Sequence, residues 1–123
     1  MNTRILPVEE WPKVTGAMLP YVEPRNAAMV VVENDGRIIA RQGVYSITYL
    51  EGLWIDKEFR GHPGVARSLI RHAFAIPKMR GEHWILTAAD DDKTRGILDR
   101  LGNRMPFDYY AISVDGGDLC RQR

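Results

Sequence analysis

The chain has 123 residues, 45% hydrophobic and 27% charged, with 17 basic against 16 acidic side chains and a formal charge of +1. That length suits one domain able to bury roughly 60% of its unfolded surface, and a charge so balanced leaves no global field to draw in nucleic acid or an anionic membrane. The longest apolar runs are four to six residues, too short to cross a bilayer; "MNTRILPVEE" has no apolar h-region; and Cys120 has no second cysteine to pair with, so a cytoplasmic protein is expected.

In chain order, "TRIL" (3–6) reads as a short strand. "VEEWPKVTGAML" (8–19) spaces Val8, Trp11, Val14, Met18 and Leu19 at helical intervals, with Pro12 acceptable only in a first turn, so a helix is expected there. Pro20 and Pro24 end it. Next, Met29–Val32 and Ile38–Ala40 are apolar runs joined by "NDG", a hairpin turn in which Asp35 and Gly36 take positive φ. "SITYLEGLWID" (46–56), rich in β-branched and aromatic residues, reads as a third long strand.

"FRGHPGVARSLIRHAF" (59–74) then opens a helix whose apolar stripe is Val65, Ala66, Leu69, Ile70, Ala73 and Phe74, with Pro77 as its stop. "HWILTAA" (83–89) is a short buried strand, "DDDKTRGILDRLG" (90–102) a helix stopped by Gly102, and "FDYYAISV" (107–114) a final strand before a frayed end. The segments form a single domain, 1–123, of α/β class with a mixed sheet. The strands at 46–56 and 83–89 flank a crossover helix, which makes them a parallel pair in an otherwise antiparallel sheet, with a ligand expected at the carboxyl end of the first.

The glycine turn before that helix carries the functional argument. A helix start leaves backbone N–H groups unpaired and partly positive, and glycine lets an anion approach them. Arg60 and Arg67 add full charges. The simpler alternative is a plain helix cap with solvated arginines. Dinucleotide and Walker patterns are absent, since no Lys-Ser or Lys-Thr pair follows the last glycine.

"LEGLWIDKEFRGHPGVARSLI" resembles the central acyl-CoA motif of the GNAT superfamily of N-acetyltransferases, in which an Arg/Gln-x-x-Gly-x-Gly/Ala turn cradles the pyrophosphate of coenzyme A. "YLEG" also resembles bacterial aminoglycoside 6'-N-acetyltransferases. The resemblance covers the element order from 3 to 114 and specific residues over about 49–74. It implies a GNAT-like fold, acetyl-CoA as co-substrate, transfer of acetyl to an amine of a small molecule or protein, and a homodimer as one option. It places the cofactor at the strand end Leu53, Trp54 and Ile55, at the turn Arg60, Gly61, His62 and Gly64, and at Val65, Ala66 and Arg67. The turn departs from the family: three residues, "GHP", separate Arg60 from Gly64 instead of two, and Pro63 has no N–H to donate. A GNAT-fold binding or structural module that has lost catalysis is therefore the alternative, and an acyl-CoA binder without transfer a third reading.

Acetyl transfer needs a base for the amine, since a lysine-like amine titrates near 10.4, and an acid for the leaving thiolate. Glu51, a carboxylate within an apolar run, is the candidate base, and Gly52 beside it can bulge the strand. The family's usual acid is a tyrosine on the helix before the last strand; aligning "DRLG" puts Leu98 there, leaving Tyr109 or Tyr110 as substitutes. Asp90, Asp91 and Asp92 read as caps and dipole partners. His62, His72 and His83 lack metal-ligand spacing, no Gly-x-Ser-x-Gly elbow is present, and Trp11, Trp54 and Trp84 read as core or pocket wall.

Overall fold

Strand-forming residues cluster in the first 45 positions, and there the chain builds an antiparallel sheet. The computed structural model describes residues 1–115; apart from Asp115, the end expected to fray, with Cys120, lies outside the described residues. Strands β1 (Asn2–Ile5), β2 (Ala27–Asn34) and β3 (Arg37–Tyr45) lie in the order β1-β2-β3, both pairs antiparallel. The hairpin turn has Asp35 at φ 53° and Gly36 at φ 75°, the left-handed pair that matches the twist of the flanking strands. A bulge between Val32 and Glu33 shifts the register just before it.

Alternation along β2 sends Met29 and Val31 to one face, where both are fully buried beside Leu6 and Val14. Each large apolar side chain so buried contributes roughly 1.5–3 kcal/mol. Trp11, Leu19, Ile38 and Tyr45 close the cluster. Arg4 projects from β1 at the edge of this core; Glu10 takes its guanidinium through two bonds of 3.0 and 3.1 Å, and Glu33 takes its Nε.

The helix expected over 8–19 is replaced by a 3-10 turn at Val8–Lys13 and another at Leu19–Tyr21. Pro12 lies inside the first, and Pro7, at the cap position, has no side chain to accept a terminal N–H. The turn closes with three-residue bonds, Glu10 N to Pro7 O at 2.9 Å and Val14 N to Trp11 O at 3.0 Å. Trp11 and Val14 still reach the core.

The long strand expected over 46–56 shortens to β4 (Tyr49–Leu50), and the one over 83–89 to β5 (Leu86–Thr87). They pair in parallel, Tyr49 with Leu86 and Leu50 with Thr87. The single mixed sheet is thus corrected to two: β4 does not join β3, and the parallel pair stands as a separate two-stranded sheet. Ser46 N still bonds Asn26 O beyond the end of β3, after which the chain leaves the antiparallel sheet. The final strand over 107–114 does not form; Tyr110, Ile112 and Val114 are exposed. Strand propensity stabilises a segment only against a paired neighbour, and this one has none.

Helix α1 (Pro63–Met79) runs through Pro77, which is buried, and is followed by the cap Arg80 and by Gly81 at φ 72°. The stop lies beyond the proline because a proline near a C-terminus breaks one intrahelical bond, while the Pro77 carbonyl accepts from Arg80 and Glu82. Its apolar stripe is half covered: Val65, Ala66 and Ala73 are partly buried, whereas Leu69, Ile70 and Phe74 keep 44–46% of their surface exposed. Helix α2 (Asp92–Leu101) starts at Asp91, whose Oδ1 accepts from Thr94 N at 2.7 Å. Asp92 pairs with Arg95, so two of the three aspartates serve as cap and helix-face partner. Among the described residues no helix is long and apolar enough to cross a membrane.

Candidate functional site

The parallel pair ends abruptly. Leu86 N donates to Thr48 O at 2.9 Å, and the Thr87 hydroxyl donates to Leu50 O at 2.7 Å, so a side chain takes the carbonyl that a further rung would have used. Beyond it, Glu51–Asp56 has no ladder partner. Asp56 then caps a 3-10 turn at Lys57–Phe59, accepting from Glu58 N at 3.0 Å. Arg60 folds back across this turn, its Nε donating to Ile55 O at 3.0 Å. The arginine is therefore spent in part on shaping the loop.

Of the residues at which the sequence places the cofactor, His62 and Val65 have their amides occupied by the turn. His62 N bonds Phe59 O at 3.0 Å, and Val65 N bonds His62 O at 3.2 Å. Pro63, the first helical residue, has no N–H to offer. Those of Gly61 and Gly64 lie outside these bonds, at the positive end of a 17-residue helix of which Ala66 is the fourth residue.

Gly64 is not left-handed; the positive-φ glycines among the described residues are Gly36 and Gly81. What Gly64 contributes is open access. A Cβ built there would meet only the His62 ring, at 3.4 Å, and one built at Gly61 would meet nothing within 4 Å. Arg67 is exposed on the first turn of α1. Of the strand-end residues, Ile55 is half-buried and Leu53 and Trp54 are exposed, Trp54 at 74%; Trp54 therefore forms neither core nor pocket wall. An anion approaching the turn meets glycine backbone, an exposed arginine and the helix start, a set that fits a phosphate.

The catalytic candidates are dispersed. Glu51 lies one residue past the last paired rung, and its side chain is exposed. Tyr110 is 83% exposed. Tyr109 stacks edge-to-face on Phe107, centroids 5.3 Å apart, and its phenol is pushed up by burial and by nearby Tyr49 of β4. It stays protonated at neutral pH, which leaves it a proton to give.

Tyr109 also faces a cavity of about 640 Å³ between β5, α2 and the 103–109 segment. Leu98 lines the same cavity, but Glu51, Tyr110 and the glycine turn do not. Trp84 is a wall residue, edge-on to Tyr21 with centroids 4.7 Å apart. Sequence reasoning missed Tyr21, Phe74 and Met105 as wall residues. They come from three separate segments, and no local spacing announces their convergence.

No family model and no curated protein matches the sequence. Among solved structures, the chain is similar to the ribosomal-protein-alanine N-acetyltransferase from Brucella melitensis biovar Abortus 2308. The two are 12% identical, the match covers 92% of this chain and 99% of that one, and the TM-score is 0.37.

Proposed function

We propose that this chain is an acetyl-CoA-dependent N-acetyltransferase of GNAT type, a single cytoplasmic domain that acetylates a primary amine of a small molecule or protein. The observation that carries the reading is the two-rung parallel pair that stops at Leu50 and Thr87, followed by a glycine turn feeding α1. A stretch of strand without a ladder partner, next to a helix start, offers backbone groups for an amide-bearing chain and positive charge for its phosphates.

In this reading the amides of Gly61, Gly64 and Ala66, with Arg67, hold the pyrophosphate, and the backbone of Leu53, Trp54 and Ile55 aligns the pantetheine. His62, Val65 and Arg60 shape the turn. Acetyl-CoA supplies a thioester carbonyl. The amine nitrogen bonds to that carbon as the carbon–sulfur bond breaks. Glu51 takes the ammonium proton, directly or through a water, and the thiolate is met by a proton from Tyr109 or solvent. Tyr110 is the weaker acid candidate because its side chain is almost fully exposed.

A second reading, a GNAT-fold module without catalysis, is favoured by one observation: Glu51 and Tyr109 share no cavity, and Leu98 stands where the resemblance expects a tyrosine. Calorimetry with acetyl-CoA separates the two. Micromolar binding together with acetylation of an amine supports the enzyme; binding without turnover selects an acyl-CoA binder without transfer. No binding at millimolar ligand leaves the module.

A further inference from the structure

The cavity beside β5 has an uneven chemistry. Four of its wall residues are aromatic: Tyr21, Phe74, Trp84 and Tyr109. Leu86 and Leu98 add aliphatic surface. Its polar wall side chains, by contrast, are engaged within the chain. His83 Nδ1 lies 3.0 Å from Glu23 Oε1, and Arg95 is paired with Asp92. Asn103 Nδ2 donates to the Tyr21 hydroxyl at 3.1 Å, and the Thr87 hydroxyl is given to Leu50 O.

Asp99 is the one acidic residue on the wall among the described residues, and Arg104 already holds it, Nε at 3.2 Å and a terminal guanidinium nitrogen at 2.6 Å. A polycation entering the cavity would meet a carboxylate already shared with one guanidinium and, on the same wall, a second arginine, Arg95. An apolar ring would displace nothing but water, and would gain contact with the aromatic walls.

The position is also informative. Ala88 and Ala89, at the carboxyl end of β5, belong to the wall. Because β4 and β5 are parallel, that end is the one from which β4 leads towards Glu51 and the glycine turn. At about 640 Å³ the cavity falls within the range of roughly 300–1,000 Å³ that small-molecule sites occupy.

We infer that this cavity receives the apolar, ring-bearing body of a primary amine and rejects polyamines and aminosugars. The assignment of that amine as the acetyl acceptor rests on the transferase reading above; the binding chemistry of the cavity does not.

The test is calorimetry of the full chain with tryptamine and, separately, with spermidine. Tryptamine is expected to bind and spermidine to give no saturable heat at the same concentrations. Leu98→Trp, which fills the cavity from a half-buried position on α2, is expected to weaken tryptamine at least about tenfold, while Trp84→Phe, which keeps a ring on the wall, stays within about threefold of the unaltered chain. Thermal melts establish that both variants fold; if Leu98→Trp does not, the two titrations of the unaltered chain still decide. Spermidine binding as tightly as tryptamine, no tryptamine binding, or a folded Leu98→Trp that binds unchanged overturns the inference. An acetyl-CoA titration in parallel keeps the two ideas apart. Tryptamine binding without acetyl-CoA binding sinks the transferase and leaves the cavity assignment standing; acetyl-CoA binding without tryptamine binding does the reverse.

Discussion

The hydroxyl of Thr87 on β5 donates a 2.7 Å hydrogen bond to the carbonyl of Leu50 on β4, across the last rung of the parallel pair. A side chain thereby terminates the ladder where the candidate acyl-CoA site begins. Thr87→Val keeps the shape and β-branching of the residue but leaves the carbonyl without this donor. The loss is expected to be about 1 kcal/mol of stability, read from the urea midpoint at unchanged slope. A larger share of the effect should appear as weakened acetyl-CoA binding, because the pairing of β4 ends at this rung. Unchanged stability and unchanged binding would show the bond to be incidental.

The two glycine-bearing turns should respond in opposite ways to added side chains. Gly36 sits at φ 75° in the hairpin turn, where a β-branched residue is strained, so Gly36→Val should cost about 1–2 kcal/mol in chemical unfolding. Gly61→Ala should be near neutral for stability, since its Cβ would meet nothing within 4 Å. Equal losses at both sites would contradict this account.

Acid should lower stability in a defined window. Glu10 is held down to about 2 by its hydrogen bonds to Arg4 and, secondarily, Lys13, against an ordinary value of 4.5. A depressed carboxyl contributes its stabilisation in full above the ordinary value and loses it as pH falls through the folded one. Glu23, lowered by His83, and Asp91, lowered by the Thr94 amide, act in the same direction. Stability should therefore decline between pH 4.5 and about 2, and Arg4→Met should flatten that decline. An identical acid limb in Arg4→Met would remove the pair from the explanation.

Acetyl-CoA binding should depend on Gly64 although its backbone is unstrained. A Cβ there meets only the His62 ring, at 3.4 Å, so Gly64→Val should fold normally while its side chain blocks the approach of phosphate. Binding should fall by at least about tenfold, with the melting curve unchanged. Pro63→Ala restores an N–H at the first helical position and should keep or strengthen binding. If both variants bind acetyl-CoA as the unaltered chain does, the glycines only mark a helix start.

The elements that local chemistry specifies were legible in the sequence. Asp35 and Gly36 adopt the positive φ angles their side chains permit, Asp91 caps α2, Gly102 follows its end, and the crossover around α1 makes β4 and β5 parallel. Each depends on neighbours a few residues away or on the handedness and length of one connection. What the tertiary structure alone decided is where pairing stops and what converges. Apolar spacing over 8–19 admitted Pro12 as a first-turn residue but did not weigh Pro7 at the cap, and β-propensity over 46–56 and 107–114 did not reveal whether a partner strand would be in reach. The cavity gathers Tyr21, Phe74, Trp84 and Tyr109 from separate segments, and a polar wall side chain such as His83 finds its partner in Glu23, 60 residues away in the chain. A hydrogen-bond ladder or an ion pair between distant residues is a property of the folded arrangement, because its energy exists only once both groups have been brought together and taken from water.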